Sequence, residues 1–208
     1  MLDILKNIWQ LEEEFESMKG SSDSNFIKFY EDNLITINRL DEKLGGKNEE
    51  LKIKIGSDYG ISLISEGFKQ KGLPYVEKSI KLLEKIAKED NKDLREVQLY
   101  QHLLWYNAKT NFELGRYDES LQLFNSLIKM NTENKAFKAW KLSIYQIKSK
   151  KWVYLLLIVL IIIFLTEVIF AKVFEKEYEF MSIINYSLII IFTINQLYFY
   201  IMKKRYEN

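Results

Sequence analysis

The chain has 208 residues, with 30 Lys plus Arg against 29 Asp plus Glu and a formal net charge of +1. That balance excludes the broad basic footprint of a general nucleic-acid binder. It has no cysteine and one histidine, His102, which excludes disulfides, thiol catalysis and a histidine-built metal cluster within one chain. No metal or cofactor is expected, and no Ser/His/Asp set, glycine-rich phosphate loop or framed pair of acids points to an enzyme. With one proline, Pro74, and abundant Leu, Ile, Lys and Glu, the chain predicts an all-α fold.

Residues 2–18 place Ile4, Leu5, Ile8, Trp9, Leu11, Phe15 and Met18 near helical spacing, with Glu12, Glu13, Glu14 and Glu16 largely opposite. G-S-S-D-S at 20–24 supplies a loop and an N-cap. A second helix is expected over 25–44, striped by Phe26, Ile27, Tyr30, Leu34, Ile37 and Leu40, and ended by Gly45-Gly46. In 48–57, Leu51, Ile53 and Ile55 alternate like a strand, but no partner strand is visible. Helix is the expectation there, with a break at Gly56 left open. Residues 1–57 are read as N-terminal helices packing on a repeat domain.

From residue 58 the chain repeats at an offset of 41 residues, with units at 60–91 and 101–132. In this register Gly67 falls on Ala108, Pro74 on Gly115, Ser79 on Ser120, Leu83 on Phe124 and Ile86 on Leu127. Each unit reads as a helix–turn–helix that must stack on a neighbour to bury its face. The extra stretch N-K-D-L-R-E-V would add about two helical turns. Residues 135–150 continue as helix, completing a 58–150 repeat domain, and no breaker separates Asn134 from Ala171.

The second unit, A108-x6-G115-R-Y117-D-E-S120-L-x-L-F124-x-x-L127, resembles a tetratricopeptide repeat. It departs from that family at Ser120, Leu127 and Thr132, and in its period. The resemblance implies a concave face, lined by the first helix of each unit, that binds an extended peptide or a partner helix. Carried over, the face is Ile61, Ile64, Phe68 and Lys71 in unit one and His102, Trp105, Lys109 and Phe112 in unit two. The competing expectation is that the helices of residues 2–44 fold over it.

Two apolar runs close the chain, Trp152 to Ala171 and Met181 to Met202, within a segment 151–208. About 20 helical residues span the roughly 30 Å hydrocarbon layer, so the runs predict a transmembrane hairpin. Lys148, Lys150 and Lys151 before it and Lys203, Lys204 and Arg205 after it put both termini on the cytoplasmic side of an inner membrane. Glu167, Asn185, Asn195 and Gln196 are its intramembrane polar residues. The expected protein is a bacterial, membrane-anchored cytoplasmic scaffold, with a protein partner, the lipid bilayer and a homo-oligomer as associations. A pore-forming effector, laid out like small two-helix membrane proteins of bacterial immunity, is the alternative. A third reading takes Arg95 and His102, an R-x6-H pair, as similar to the loose signature of HEPN ribonucleases. Seven residues apart on one helix face, they would act jointly on a phosphodiester.

Overall fold

The structure, a computed structural model, describes residues 2–40, 46–174, 186–187, 189–194, 196–197, 200–201 and 204. It is all-α, and the described residues form no strand. By internal contacts the chain divides into two units, residues 1–130 and 131–208.

In the first unit, α1 (Leu2–Ser17) leads into α2 (Asp23–Asp32), whose N-cap Ser22 accepts the Asn25 N–H at 3.4 Å. The expected long second helix breaks at Asn33, and α3 (Leu34–Arg39) is a separate short helix. The Gly45 stop lies outside the described residues. The strand-like alternation at 48–57 forms part of α4 (Gly46–Ser65), unbroken at Gly56. The hydrophobic core gathers Leu11 and Phe15 of α1, Phe26, Phe29 and Tyr30 of α2 and Ile37 of α3 against Leu51, Ile55, Tyr59 and Leu63 of α4.

The rest of this unit is two antiparallel helix pairs: α4 with α5 (Lys69–Glu89), and α6 (Gln98–Glu113) with α7 (Tyr117–Met130), with α5 packed on α6. Both turns are built the same way. Gly67 (φ +91°) and Gly115 (φ +77°) adopt left-handed backbone, which glycine enters without a Cβ clash. The Gly67 N–H donates to Ile64 and the Phe68 N–H to the Leu63 carbonyl at 2.8 Å. Likewise the Gly115 N–H donates to Phe112 and the Arg116 N–H to the Asn111 carbonyl at 2.8 Å.

The two hairpins therefore correspond at a spacing of 48 positions, Gly67 to Gly115, rather than 41. Pro74 is not a turn residue; it lies inside α5. In this register Gly60 corresponds to Ala108 and Gly72 to Ser120, and both pairs mark the crossing of their hairpin. A Cβ at Gly72 would stand 2.5 Å from the Gly60 carbonyl oxygen. At the other crossing the buried Ser120 hydroxyl donates to the Ala108 carbonyl at 2.8 Å.

The stretch after α5 adds no α-helical turns. Asn91 turns left-handed (φ +53°), and the Lys92 N–H closes on the Ala87 carbonyl. Asp93 then caps a short 3₁₀ turn, Leu94–Glu96, through the Arg95 N–H at 2.9 Å.

The second unit holds α8 (Lys135–Phe174), 40 residues and ~60 Å long at 1.5 Å per residue. Asn134 caps it by accepting the Phe137 N–H at 3.3 Å, and no Gly or Pro interrupts it. Leu155, Ile158, Val159, Ile161, Ile162, Phe164, Leu165, Val168 and Ile169 are exposed along its later half.

Among the described residues, however, no helix is long and apolar enough to cross a membrane. This overturns the expected transmembrane hairpin, the two-span membrane-protein class and the inner-membrane location with cytoplasmic termini. The α8 helix carries Lys135, Lys138, Lys141 and Lys148 in its first half, and the second run lies partly outside the described residues. Of the proposed intramembrane polar residues, Glu167 lies in α8 with its side chain outside the described residues. Gln196 is helical and exposed, and Asn185 and Asn195 lie outside the described residues.

Candidate functional site

The α6 helix carries the densest group of sequence-predicted site residues. Its first turns come directly after the Asp93-capped 3₁₀ turn, and its end is fixed by the Gly115 turn, so its exposed side is held from both ends. His102, Trp105 and Lys109 sit three to four residues apart and share one side of the helix. The His102 and Trp105 rings are parallel within 3°, their centroids 6.5 Å apart. Tyr106, which residue spacing alone did not single out, stands edge-on to both, at 4.9 Å from His102 and 5.0 Å from Trp105. The Lys109 ammonium lies 5.3 Å from the Trp105 ring centroid, a cation–π contact. His102 is exposed, and Trp105, Tyr106 and Lys109 are half-buried. Burial, with Asp23 nearby, raises the Tyr106 phenol above its ordinary range, so it is a neutral hydroxyl at physiological pH. The position of Tyr106, four residues after His102, is the signal that could have found it.

Glu113 ends this side of α6. It pairs with Lys109 at 3.8 Å and with Lys69 of α5 at 3.0 Å, tying the ladder to the first hairpin. Phe68 and Lys71 form a second, smaller platform at the start of α5. Phe68 is 52% exposed, and the Lys71 ammonium lies 5.6 Å from its ring centroid. Phe112 is turned toward α7, its ring 5.7 Å from Tyr117.

Unit one is partly buried. Ile64 is buried beside Gly72. Ile61 lines a cleft of about 270 Å³ together with Phe15, Met18 and Phe26 of the N-terminal helices. In that cleft Asp23 accepts the Ser62 hydroxyl at 2.8 Å. The apolar walls push the Asp58 carboxyl up to about 6, Lys19 opposing the shift.

The structure does not put Arg95 and His102 on one helix face. Arg95 sits in the 3₁₀ turn before α6, 68% exposed in its side chain, with its guanidinium on the Asp93 carboxylate at 2.6 Å. His102 belongs to the aromatic ladder. Among the described residues no group of three or more His, Cys, Asp or Glu could hold a metal.

No family model, curated protein or solved structure matches the chain.

Proposed function

We propose that the chain is a non-enzymatic scaffold whose tetratricopeptide-like helix pairs hold a protein partner against the exposed side of α6. The ladder of His102, Trp105, Tyr106 and Lys109 carries this reading. Trp, Tyr and a cation presented on a rigid helix, half-buried and already packed together, lose little freedom when a partner covers them. A water-facing group of three rings with a lysine has no need in the hydrophobic core, which closes around Phe124 and Leu127 without them. Phe68 and Lys71 extend the same chemistry to the neighbouring hairpin, and the Lys69–Glu113 ion pair keeps the two platforms in register.

The tetratricopeptide-like reading is supported by the matched glycine turns and by the matched small residues at the crossings, Gly60 with Gly72 and Ala108 with Ser120. A partner segment that lays an acidic or apolar side chain over Trp105 and Lys109 fits this surface.

Photo-crosslinking from position 102 in cells tests the proposal. The expected result is a discrete adduct that disappears with Trp105→Ala and with Lys109→Glu and persists with Lys81→Glu, an exposed lysine on α5. An adduct pattern unchanged by the first two substitutions refutes it.

A further inference from the structure

The cleft of about 270 Å³ is built on α1, α2 and α4 rather than on the α6 ladder. Its floor is aromatic: the buried Phe15 and Phe26 rings meet edge-on at 73°, their centroids 5.9 Å apart. Met18 and Ile61, both half-buried, make its sides, and the unbranched Met18 side chain can shift to follow a guest. Two carboxylates from different helices share this wall, Asp23 at the start of α2 and Asp58 of α4. Asp23 accepts the hydroxyl of the buried Ser62 at 2.8 Å. Asp58 is exposed at the mouth, and its carboxyl feels burial and the charge of Lys19 but receives no hydrogen bond. Lys19, the one cation among the described lining residues, holds its ammonium on the Glu16 carboxylate.

We propose that this cleft binds a small organic ammonium: a single ring or short chain seated on Phe15, Phe26 and Ile61, its charged end against the carboxylates of Asp23 and Asp58. Apolar walls that disfavour a lone carboxylate also strengthen its attraction to a cation that arrives beside it. An apolar lining with a few convergent polar groups is the form ligand sites take, and this cleft is at their small end, so the guest's body is one ring at most. The Asp58 carboxyl, pushed up to about 6 chiefly by burial with Lys19 opposing, is ionised at neutral pH and largely protonated at pH 5. An ammonium pairs with the ionised form, so its affinity rises with pH through that window. The other charged groups at the site are Asp23 of α2, Glu16 of α1 and Lys19, and Lys19 is the cation with which the guest competes.

Calorimetric titration of the full chain at pH 7.5 tests this, with 2-phenylethylamine, 2-phenylethanol, 3-phenylpropionate and N-acetyl-lysine methylamide as probes. The phenylethylamine should bind with a submillimolar dissociation constant, while the neutral alcohol and the carboxylate do not bind at 5 mM. At pH 5 it should bind about tenfold more weakly, because the ionised fraction of Asp58 falls to about a tenth. Asp58→Asn should weaken it at least tenfold at pH 7.5 and remove the pH dependence. Met18→Trp, which fills the cleft, should abolish binding, and Lys19→Gln, which removes the competing cation, should tighten it. No binding by the amine, equal binding by the alcohol, weaker binding in Lys19→Gln, or unchanged affinity in both Asp58→Asn and Met18→Trp overturns the proposal. Tighter binding of the lysine derivative than of phenylethylamine would assign the cleft to a partner protein's lysine and overturn the small-molecule site. The Trp105→Ala chain should bind the amine as the wild type does, which separates this site from the scaffold reading; coupled loss overturns the assignment to this cleft.

Discussion

Replacing Gly72 by Ala places one methyl group where α4 and α5 cross. In most helix interiors this substitution gains about 1 kcal/mol, because Gly costs more backbone entropy than Ala. Here the new Cβ would sit 2.5 Å from the Gly60 carbonyl oxygen, 2.8 Å from Ile64 Cγ1 and 3.0 Å from Leu63 Cβ. Carbon contacts prefer about 3.5–4.0 Å, so the helices must part by close to 1 Å. Two of the three clashing atoms lie on or next to the α4 backbone, which cannot rotate away as a long side chain does. Overpacking of this kind costs about 1–3 kcal/mol. A gap of that size also forfeits a quarter to a half of each dispersion well along the interface, where Leu63, Leu73, Val76 and Ile80 are buried. The net expectation is a loss of about 2 kcal/mol. Gly56→Ala is the internal control: its Cβ meets only the Ser79 hydroxyl at 3.6 Å, so it should stabilise by about 0.5–1 kcal/mol. Urea denaturation monitored by circular dichroism at 222 nm reads both. A Gly72→Ala chain as stable as the wild type, or shifted in the same direction as Gly56→Ala, refutes the close-crossing argument.

Three further outcomes rest on individual residues. The Thr110 hydroxyl is buried without a hydrogen-bond partner among the described residues, so Thr110→Val should stabilise the chain by up to about 1 kcal/mol in the same denaturation assay. Gly115→Ala forces a side chain into left-handed backbone and should cost about 1 kcal/mol, with Gly115→Asn costing less in a side-by-side melt. Asp58 has its folded pKa raised from 3.8 to about 6, chiefly by burial. Its stabilising protonation is fully present below about 4 and lost as pH rises through 6; Asp58→Asn should flatten the stability–pH curve over that window, and because the group is partly solvated the change stays below about 1 kcal/mol.

Much of the helical layout was legible from residue spacing. The apolar stripes of α1 and α2, the Ser22 cap and the Gly115 turn arise from local chemistry that any neighbourhood would respect. The repeat register was not legible. Matching letters at 41 positions aligned Pro74 with Gly115, yet the turn needs left-handed backbone, and Gly67 is the residue in the first hairpin that supplies it. Judging positions by the backbone they demand, rather than by identity, gives 48. Arg95 left the expected α6 face because Asp93 bonds its N–H and its guanidinium together, closing a separate turn. The ladder residues His102, Trp105 and Lys109 were found because they share one helix. The cavity between α2, α3, α4 and α5 was invisible because Tyr30, Lys52 and Lys78 lie on three helices that only tertiary packing brings together. The apolar runs near the C-terminus predicted spans, and among the described residues no helix is long and apolar enough to be one.

The packing of α1 to α3 on α4 also sets a timetable for synthesis. Each helix hairpin closes across a few residues, a search that takes well under a microsecond for so short a loop. The N-terminal layer also needs a partner from further along the chain. Phe15, Phe26 and Phe29 are covered by Tyr59 and Leu63, and the Asp23–Ser62 hydrogen bond joins positions 39 residues apart in sequence. At roughly 5–20 residues per second, the ribosome delivers Ser62 about 2–8 s after Asp23. For those seconds Phe15, Phe26 and Phe29 have only one another to pack against, and the α4 residues that complete their core are still to come.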